Sequence, residues 1–176
     1  MFKHRNVKKI EYLYDKYKNL LFNEAYKILQ DKYLSEDAVQ QSFIKIIDNI
    51  EKIDDCDSNK TRNFLVIICR NTSINIYNTN KKIVTMEMDE FDYTLCDNIS
   101  EIIINNDSVN RIIKAIDQLP TKYKDVLVLE KIFGCSKEEI SHLLNISMEN
   151  MYKRSQRARK LLLNELEING VINDEK

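Results

Sequence analysis

The segment 136–160 constrains this chain more than any other, because its pattern is typical of two short helices separated by a tight turn. Ser136 precedes an apolar stripe, and Glu139 follows it by three residues, which is the pattern of a capping box. Asn145 tolerates the backbone angles of a turn, and Ser147 is suited to cap the next helix. The segment therefore predicts a capped helix, a turn and a second helix.

The second of these helices carries side chains suited to DNA. Arg and Lys bind phosphates and guanine edges, and Asn can pair with adenine in the major groove. A capped helix, a turn and a basic second helix are typical of a helix-turn-helix that contacts DNA. The alternative is an ordinary helical hairpin with a solvated basic face. The predicted DNA-binding residues of this helix are Glu149, Asn150, Lys153, Arg154 and Arg157.

Only two Gly and one Pro occur among 176 residues, which favours long helices and argues against β-rich folds. Hydrophobic periodicity predicts helices over about 7–29, 60–82 and 121–133, with others starting at Ser35 and near Ser108. Residues 31–34 are predicted to be a polar connection, with Ser35 capping the second helix. We predict an all-α fold of two small helical domains, 1–83 and 108–176, joined by a flexible acidic linker, 84–107.

The charge is distributed unevenly. The net charge is −1; residues 1–85 carry 15 basic and 11 acidic groups, residues 86–118 carry 2 and 8, and residues 119–176 carry 10 and 9. A protein that grips DNA unaided is usually more basic. We therefore expect a partner to supply most of the affinity for phosphates.

Two helices of the first domain carry polar side chains off their apolar sides. In the second helix these are Asp37, Gln40 and Gln41, which form either a docking face for another protein or a solvated face. In the third helix, a row of polar side chains at helical spacing is either a set of base-reading amides or a result of compositional bias. Phe64 and Tyr77 add candidate stacking surfaces. The row consists of Asn71, Asn75, Asn78 and Lys82.

Other functional classes receive less support. Four widely spaced cysteines without a C-x-x-C pair suggest reduced thiols in a cytoplasmic protein, and neither a secretory signal nor a membrane span is indicated. We find no Gly-rich phosphate loop and no metal cluster, so no cofactor, metal site or enzymatic activity is predicted. A stand-alone helix-turn-helix regulator with a helical sensor domain remains an alternative, as does a decoy that only binds protein.

The chain resembles the sigma factors of bacterial RNA polymerase, specifically the small two-domain extracytoplasmic-function class, from about residue 12 to residue 166. Three stretches in the family's order carry this resemblance. They are SEDAVQQSFIKI at 35–46, FLVIICRNTSINIY at 64–77 and LPTKYKDVLVLEKIFGCSKEEISHLLNISMENMYKRSQRARKLL at 119–162.

The resemblance implies a function for each part. Asp37, Gln40, Gln41 and Phe43 match the face that grips the clamp helices of the polymerase β′ subunit. The helix at 64–82 would melt and capture the minus-10 promoter element, and the helix from Ser147 would read the minus-35 element. The implied partners are core RNA polymerase, including its β flap, promoter DNA and an anti-sigma factor.

Several positions depart from the family pattern. Gln41 and Asn75 occupy positions where an acid is usual, and Asn78 one where a basic residue is common. In the reading helix, Tyr152 replaces a usual basic residue and Ser155 a usual apolar one. These changes are expected to affect promoter preference more than the fold.

Overall fold

In a computed structural model of the chain, residues 4–82 and 107–168 are described. They fold entirely as helices and connecting turns, in two compact units, so the predicted all-α class is confirmed. The helices are α1 (His4–Leu29), α2 (Lys32–Asp48), a short 3-10 turn (Ile50–Lys52), α3 (Asn59–Lys82), α4 (Asp107–Asp117), α5 (Thr121–Leu127), a π-helical turn (Val128–Ile132), α6 (Lys137–Leu144) and α7 (Met148–Ile168).

The first unit is a bundle of α1, α2 and α3, in which each helix contacts the other two. Their apolar stripes meet in a close-packed core, and the edge of Tyr14 packs on Phe43 with ring centroids 4.9 Å apart. Burial of this apolar surface is the main force that holds three helices without disulfides together. The core includes Leu13, Leu21, Ala25, Ala38, Phe43, Ile46, Phe64, Leu65 and Ile68.

The start of α2 differs from the prediction. Gln30 adopts a left-handed conformation, with φ of 52°, directly after α1. Asp31 then caps α2, and its carboxylate accepts a hydrogen bond from the backbone N–H of Leu34 at 2.9 Å. The expectation that Ser35 caps this helix is therefore wrong. Ser35 is buried within α2, and its hydroxyl donates to the backbone carbonyl of Asp31.

The acidic loop between α2 and α3 is fastened to α1. The Asp57 carboxylate accepts hydrogen bonds from the Tyr12 hydroxyl, at 2.6 Å, and from the Lys16 ammonium. The hydrogen bond from Lys16, followed by that from Tyr12, lowers the pKa of Asp57 below its ordinary value. The Tyr17 hydroxyl donates to the backbone carbonyl of Cys56 at 2.8 Å. Asp57 and the Cys56 carbonyl thus attach the loop to α1.

The second unit is built around α5 and α7, with α4 packed against both. The consecutive buried residues Val126, Leu127, Val128 and Leu129 run through the end of α5 into the π-helical turn, whose wider winding accommodates them. Gly134 has a φ of +61°, the left-handed conformation typical of a glycine that ends a helical segment. The remaining core includes Ile113, Ile116, Leu119, Phe133, Ile140, Met151, Ala158 and Leu166.

One prediction falls almost wholly outside the described residues. The predicted acidic linker at 84–107 lies there except for Asp107, which opens α4. The C-terminal end is described only as far as Ile168, the last residue of α7.

No helix among the described residues combines the length and apolar character that crossing a membrane requires. Within the same residues, no three side chains of His, Cys, Asp or Glu are grouped to hold a metal ion.

Candidate nucleic-acid interface

A reciprocal cap fixes the start of α6. The backbone N–H of Glu139 donates to the Ser136 hydroxyl at 3.1 Å, and the backbone N–H of Ser136 donates to the Glu139 carboxylate at 2.7 Å. These bonds satisfy two backbone donors that a helix start leaves without partners. The predicted capping box is therefore confirmed, as is the buried stripe of Ile140, Leu143 and Leu144.

The turn between α6 and α7 is equally well defined. Asn145 adopts φ of +55°, and the Ser141 hydroxyl donates to the Ile146 carbonyl at 2.6 Å. The Ser147 hydroxyl accepts a hydrogen bond from the backbone N–H of Asn150 at 3.2 Å, which caps α7. The local chemistry of the predicted helix-turn-helix is thus present at each of its three junctions.

One side of α7 is buried and another carries the predicted DNA-binding residues. Met151, Ser155 and Ala158 are buried against the rest of the second unit. On the outer side, Lys153 and Arg157 are exposed, whereas Asn150 and Arg154 are half-buried. Around the helix axis, these four side chains of the outer side fall within about 100° of one another. The structure therefore brings Asn150, Lys153, Arg154 and Arg157 together on one face.

Glu149 lies at the edge of this face and pairs with a cation of the same helix. Its carboxylate is 2.7 Å from the Lys153 ammonium, and both side chains are more than 70% exposed. An ion pair so exposed contributes little to stability. Lys153 can therefore exchange this carboxylate for a phosphate at small cost.

A polar contact that sequence analysis missed holds α7 against the π-helical turn. The Glu130 carboxylate accepts a hydrogen bond from the Ser155 hydroxyl at 3.3 Å and pairs with the Arg159 guanidinium at 2.6 Å. Burial raises the pKa of Glu130, but hydrogen bonds from Arg159 and Lys131 outweigh it, so this pKa lies below its ordinary value. This bond gives the polar Ser155 a partner at a position where the family pattern led us to expect an apolar residue. The bond leaves only a weak signal in the sequence, since 25 residues separate Ser155 from Glu130.

The asparagine row of α3 lies on one side of a continuous helix, within about 60° around its axis. Asn71 and Asn75 are half-buried and Asn78 is exposed; the side chain of Lys82 lies outside the described residues. The Asn71 amide donates to the Ile67 carbonyl at 2.8 Å. Tyr77 is half-buried, but Phe64 is fully buried and offers no exposed stacking face.

The outer face of α2 holds three of the four predicted polymerase-binding residues. Asp37, Gln40 and Gln41 are exposed, and the Gln41 amide donates to the Asp37 carboxylate at 2.9 Å. Phe43 is only 5% exposed and lies in the core, so it supports this face from inside.

Sequence analysis overlooked two apolar side chains on the same face of α2. Tyr33 is 79% exposed and Ile44 is 62% exposed, and they lie at either end of the polar group. They share a face with Asp37 because their spacing of four and seven residues follows the helical repeat.

Comparisons with known proteins give matches to both units of the chain. Family models describe Sigma-70 region 2, matching residues 13–83, and Sigma-70 region 4, matching residues 110–162. The RNA polymerase sigma factor SigZ of Bacillus subtilis is 30% identical over 158 residues, which cover 90% of this chain and 87% of SigZ. The chain belongs to the RNA polymerase sigma factors. The helix-turn-helix of this sigma factor lies within the region 4 match.

A further relative specifies the class. The ECF RNA polymerase sigma factor SigM of Bacillus subtilis is 27% identical over 154 residues, which cover 87% of this sigma factor and 92% of SigM. The chain is thus a sigma factor of the extracytoplasmic-function class, concerned with transcription initiation. A crystal structure of the sigma factor RpoE with the anti-sigma factor NepR, from Bartonella quintana, aligns over 92% of this chain and 98% of that one at 15% identity, with a TM-score of 0.35.

Proposed function

We propose that this sigma factor binds core RNA polymerase and selects promoters through two separate contacts, a minus-10 contact by α3 and a minus-35 contact by α7. The domains that make these contacts would be residues 1–83 and 108–176, with 84–107 as the connection. The observation that carries the proposal is that Asn150, Lys153, Arg154 and Arg157 share the outer face of a helix that is capped as a helix-turn-helix requires.

The α7 face matches the chemistry of the major groove. Arginine can form two bonds to guanine and asparagine two bonds to adenine, and each good pair discriminates by about 1–3 kcal/mol. Replacing Arg157 by Ala should weaken minus-35-dependent transcription by about 5- to 150-fold, and Gln156→Ala provides the matched control on another side of α7. If both variants initiate equally well from a promoter that requires its minus-35 element, α7 does not read that element through this face.

The α3 face supports a contact with the opened strand. Side-chain amides can bond the edges of unpaired bases, and removing one base from the stack costs a few kcal/mol that such bonds help to offset. Replacing Asn71 and Asn75 by Ala preserves helix propensity, because Ala is the better helix former. This double variant should reduce permanganate reactivity of minus-10 thymines while leaving polymerase binding intact.

Asn80→Ala supplies the control for α3, since Asn80 is exposed on the opposite side of this helix. It should open the promoter as the wild type does. Equal loss of promoter opening and polymerase binding in the Asn71/Asn75 double variant would instead mean that these residues only maintain the fold.

The α2 face is the proposed docking surface for the β′ clamp helices of core polymerase. Asp37, Gln40 and Gln41 provide polar bonds, and the exposed Tyr33 and Ile44 provide the apolar area that interface centres need. Ile44→Ala should weaken assembly with core polymerase about tenfold or more, whereas Lys32→Ala should not, because Lys32 is exposed on another side of α2, about 140° around the helix from Asp37. Native-gel or fluorescence titration with core enzyme measures both.

In vitro transcription and an electrophoretic shift separate this proposal from a stand-alone regulator. With core polymerase, the chain should initiate from a promoter placed upstream of its own coding sequence; without polymerase, it should bind the same duplex weakly. Tight binding of the purified chain alone to a symmetric duplex site would favour the stand-alone regulator. An anti-sigma factor and the β flap are further proposed partners, by analogy with the family.

A further inference from the structure

The helix α3 is buried all the way around its axis over two turns. Each of the residues 63–70 is at most 6% exposed. The side that faces α1 and α2 centres on Leu65 and Ile68, which are fully buried. The opposite side, about 180° away around the axis, is the one we call the far side of α3. It consists of Asn63, Val66, Ile67 and Arg70.

The two neighbouring helices do not account for the burial of this far side. Both α1 and α2 pack against α3. In a bundle of three helices, each helix has its two neighbours on one side, so roughly half of its circumference faces away from them. Burial of the far side therefore requires a further segment of polypeptide that lies across it.

The chemistry of the far side indicates what kind of segment fits. Val66 and Ile67 offer aliphatic surface. Arg70 is 5% exposed, so its positive charge is largely withdrawn from water, which favours a segment that carries carboxylates. Asn63 is 4% exposed, and in the described part of the structure its side-chain amide has no hydrogen-bond partner at either N or O. Such an amide favours a segment with free backbone N–H and C=O groups, as an extended chain has.

Residues 84–106 of the same chain have the matching composition. They carry six acidic side chains and no basic one. In the stretch 86–93, MEMDEFDY, acidic and apolar side chains are interspersed. This stretch therefore offers carboxylates for a buried guanidinium and apolar side chains for an aliphatic surface.

The length of chain beyond α3 also fits. A helix rises about 1.5 Å per residue, so Arg70 lies about 18 Å and Asn63 about 28 Å along the axis from Lys82, the last residue of α3. An extended chain spans about 3.3 Å per residue. A chain that reverses direction after Lys82 would thus reach the level of Arg70 at about residue 88 and that of Asn63 at about residue 91.

We infer that the far side of α3 is a docking surface for residues 84–95 of the same chain, which run along it in the direction opposite to the helix. Their carboxylates neutralise Arg70, their apolar side chains pack on Val66 and Ile67, and their backbone bonds to the Asn63 amide. A second copy of the chain fits less well as the occupant, because the far side is already buried within a single chain. The inference does not depend on promoter recognition.

Photo-crosslinking identifies the occupant directly. The photoreactive amino acid benzoylphenylalanine is placed at position 67 of the full-length chain, which is irradiated at low concentration, digested and analysed by mass spectrometry. Crosslinks should join position 67 to residues 84–95 of the same chain. The same amino acid at position 15, where Asp15 is exposed on α1, provides the control and should not produce these crosslinks.

Hydrogen exchange tests the chemistry of the contact. In the wild-type chain, amides of residues 86–93 should exchange at least about tenfold more slowly than in a free peptide of the same sequence. Arg70→Glu should reduce this protection to less than about threefold, because it places like charges together. Lys8→Glu, an equal change of charge at an exposed position of α1, should leave it unchanged. Asp89→Lys with Glu90→Lys should restore the protection in Arg70→Glu.

Three outcomes would overturn the inference. The first is crosslinking of position 67 to another copy of the chain or to residues 107–168 in place of 84–95. The second is exchange of residues 86–93 in the wild-type chain at the rate of the free peptide. The third is unchanged protection in an Arg70→Glu variant whose helix content, checked by circular dichroism, equals that of the wild type. Each of these results leaves the proposed promoter contacts untouched, so the two proposals fail separately.

Discussion

The contact of Glu130 with α7 yields a quantitative prediction about how this helix is held in the second unit. The carboxylate side chain is 14% exposed and the Arg159 side chain 51% exposed, so water screens part of their attraction. Partly exposed pairs of this kind contribute about 0.5–1 kcal/mol in double-mutant cycles. We expect the effects of Glu130→Gln and Arg159→Met on the free energy of local opening to be non-additive by that amount. This corresponds to a change of about two- to fivefold in the local opening equilibrium.

Hydrogen exchange of peptides from α5 and α7 in the full-length chain measures this opening locally. Arg157→Met provides the matched control, since Arg157 lies on another side of α7 from Arg159, and its effect should add to that of Glu130→Gln. Fully additive effects of Glu130→Gln and Arg159→Met, to within about 0.3 kcal/mol, would refute the reasoning.

The same contact predicts a pH dependence. Because the folded-state pKa of Glu130 lies below its unfolded value, the contact stabilises the protein fully above the unfolded pKa. The stabilisation is lost as pH falls through the folded-state pKa, which lies below the ordinary pKa of a glutamate. In Glu130→Gln this acid-dependent increase in exchange of α7 should disappear; its persistence would assign the effect to another group.

Three further predictions concern stability and reactivity. Thr72 carries a buried hydroxyl without a partner in the described structure, so the isosteric Thr72→Val should raise the free energy of unfolding by about 1–2 kcal/mol. Ser73→Ala should lower the free energy of unfolding, because it removes the 2.8 Å hydrogen bond from the Ser73 hydroxyl to the Cys69 carbonyl. Gly134→Ala should cost about 1 kcal/mol by backbone strain alone, because no atom lies within 4 Å of the added Cβ; thermal unfolding measures all three variants. Burial raises the pKa of Cys69 to about 11, so iodoacetamide at pH 8 should modify the half-buried Cys56 at least about tenfold faster, as peptide mass analysis would show.

Local chemistry explains which parts of the helix-turn-helix could be predicted. The capping box of Ser136 and Glu139 and the cap at Ser147 involve residues three apart, so sequence spacing alone identifies them. Gly134 was predictable because few other residues adopt a positive φ. The failed prediction at Ser35 shows the limit of this method, since Asp31 is an equally suitable cap and sequence spacing alone does not choose between the two.

Contacts between distant residues were not predictable from one sequence. The bond from Ser155 to Glu130 joins α7 to a π-helical turn whose winding the sequence pattern does not reveal. The burial of Phe64 follows from how three helices meet, whereas its aromatic character suggested a stacking surface. The outer residues Tyr33 and Ile44 were overlooked because isolated apolar residues on a surface are common. Only the helix spacing observed in the fold places them on one face.

The small number of cations on the proposed DNA face argues that α7 needs a partner to bind DNA well. That face carries three, Lys153, Arg154 and Arg157, and the neighbouring Arg159 is already paired with Glu130. Affinity for duplex DNA rises with the number of phosphates neutralised, and each one adds about one unit to the slope against the logarithm of salt concentration. The second unit alone should therefore show a slope of only a few units. If polymerase supplies the remaining phosphate contacts, Arg157→Ala should reduce selectivity between promoters much more than it reduces total affinity of the assembled enzyme for DNA.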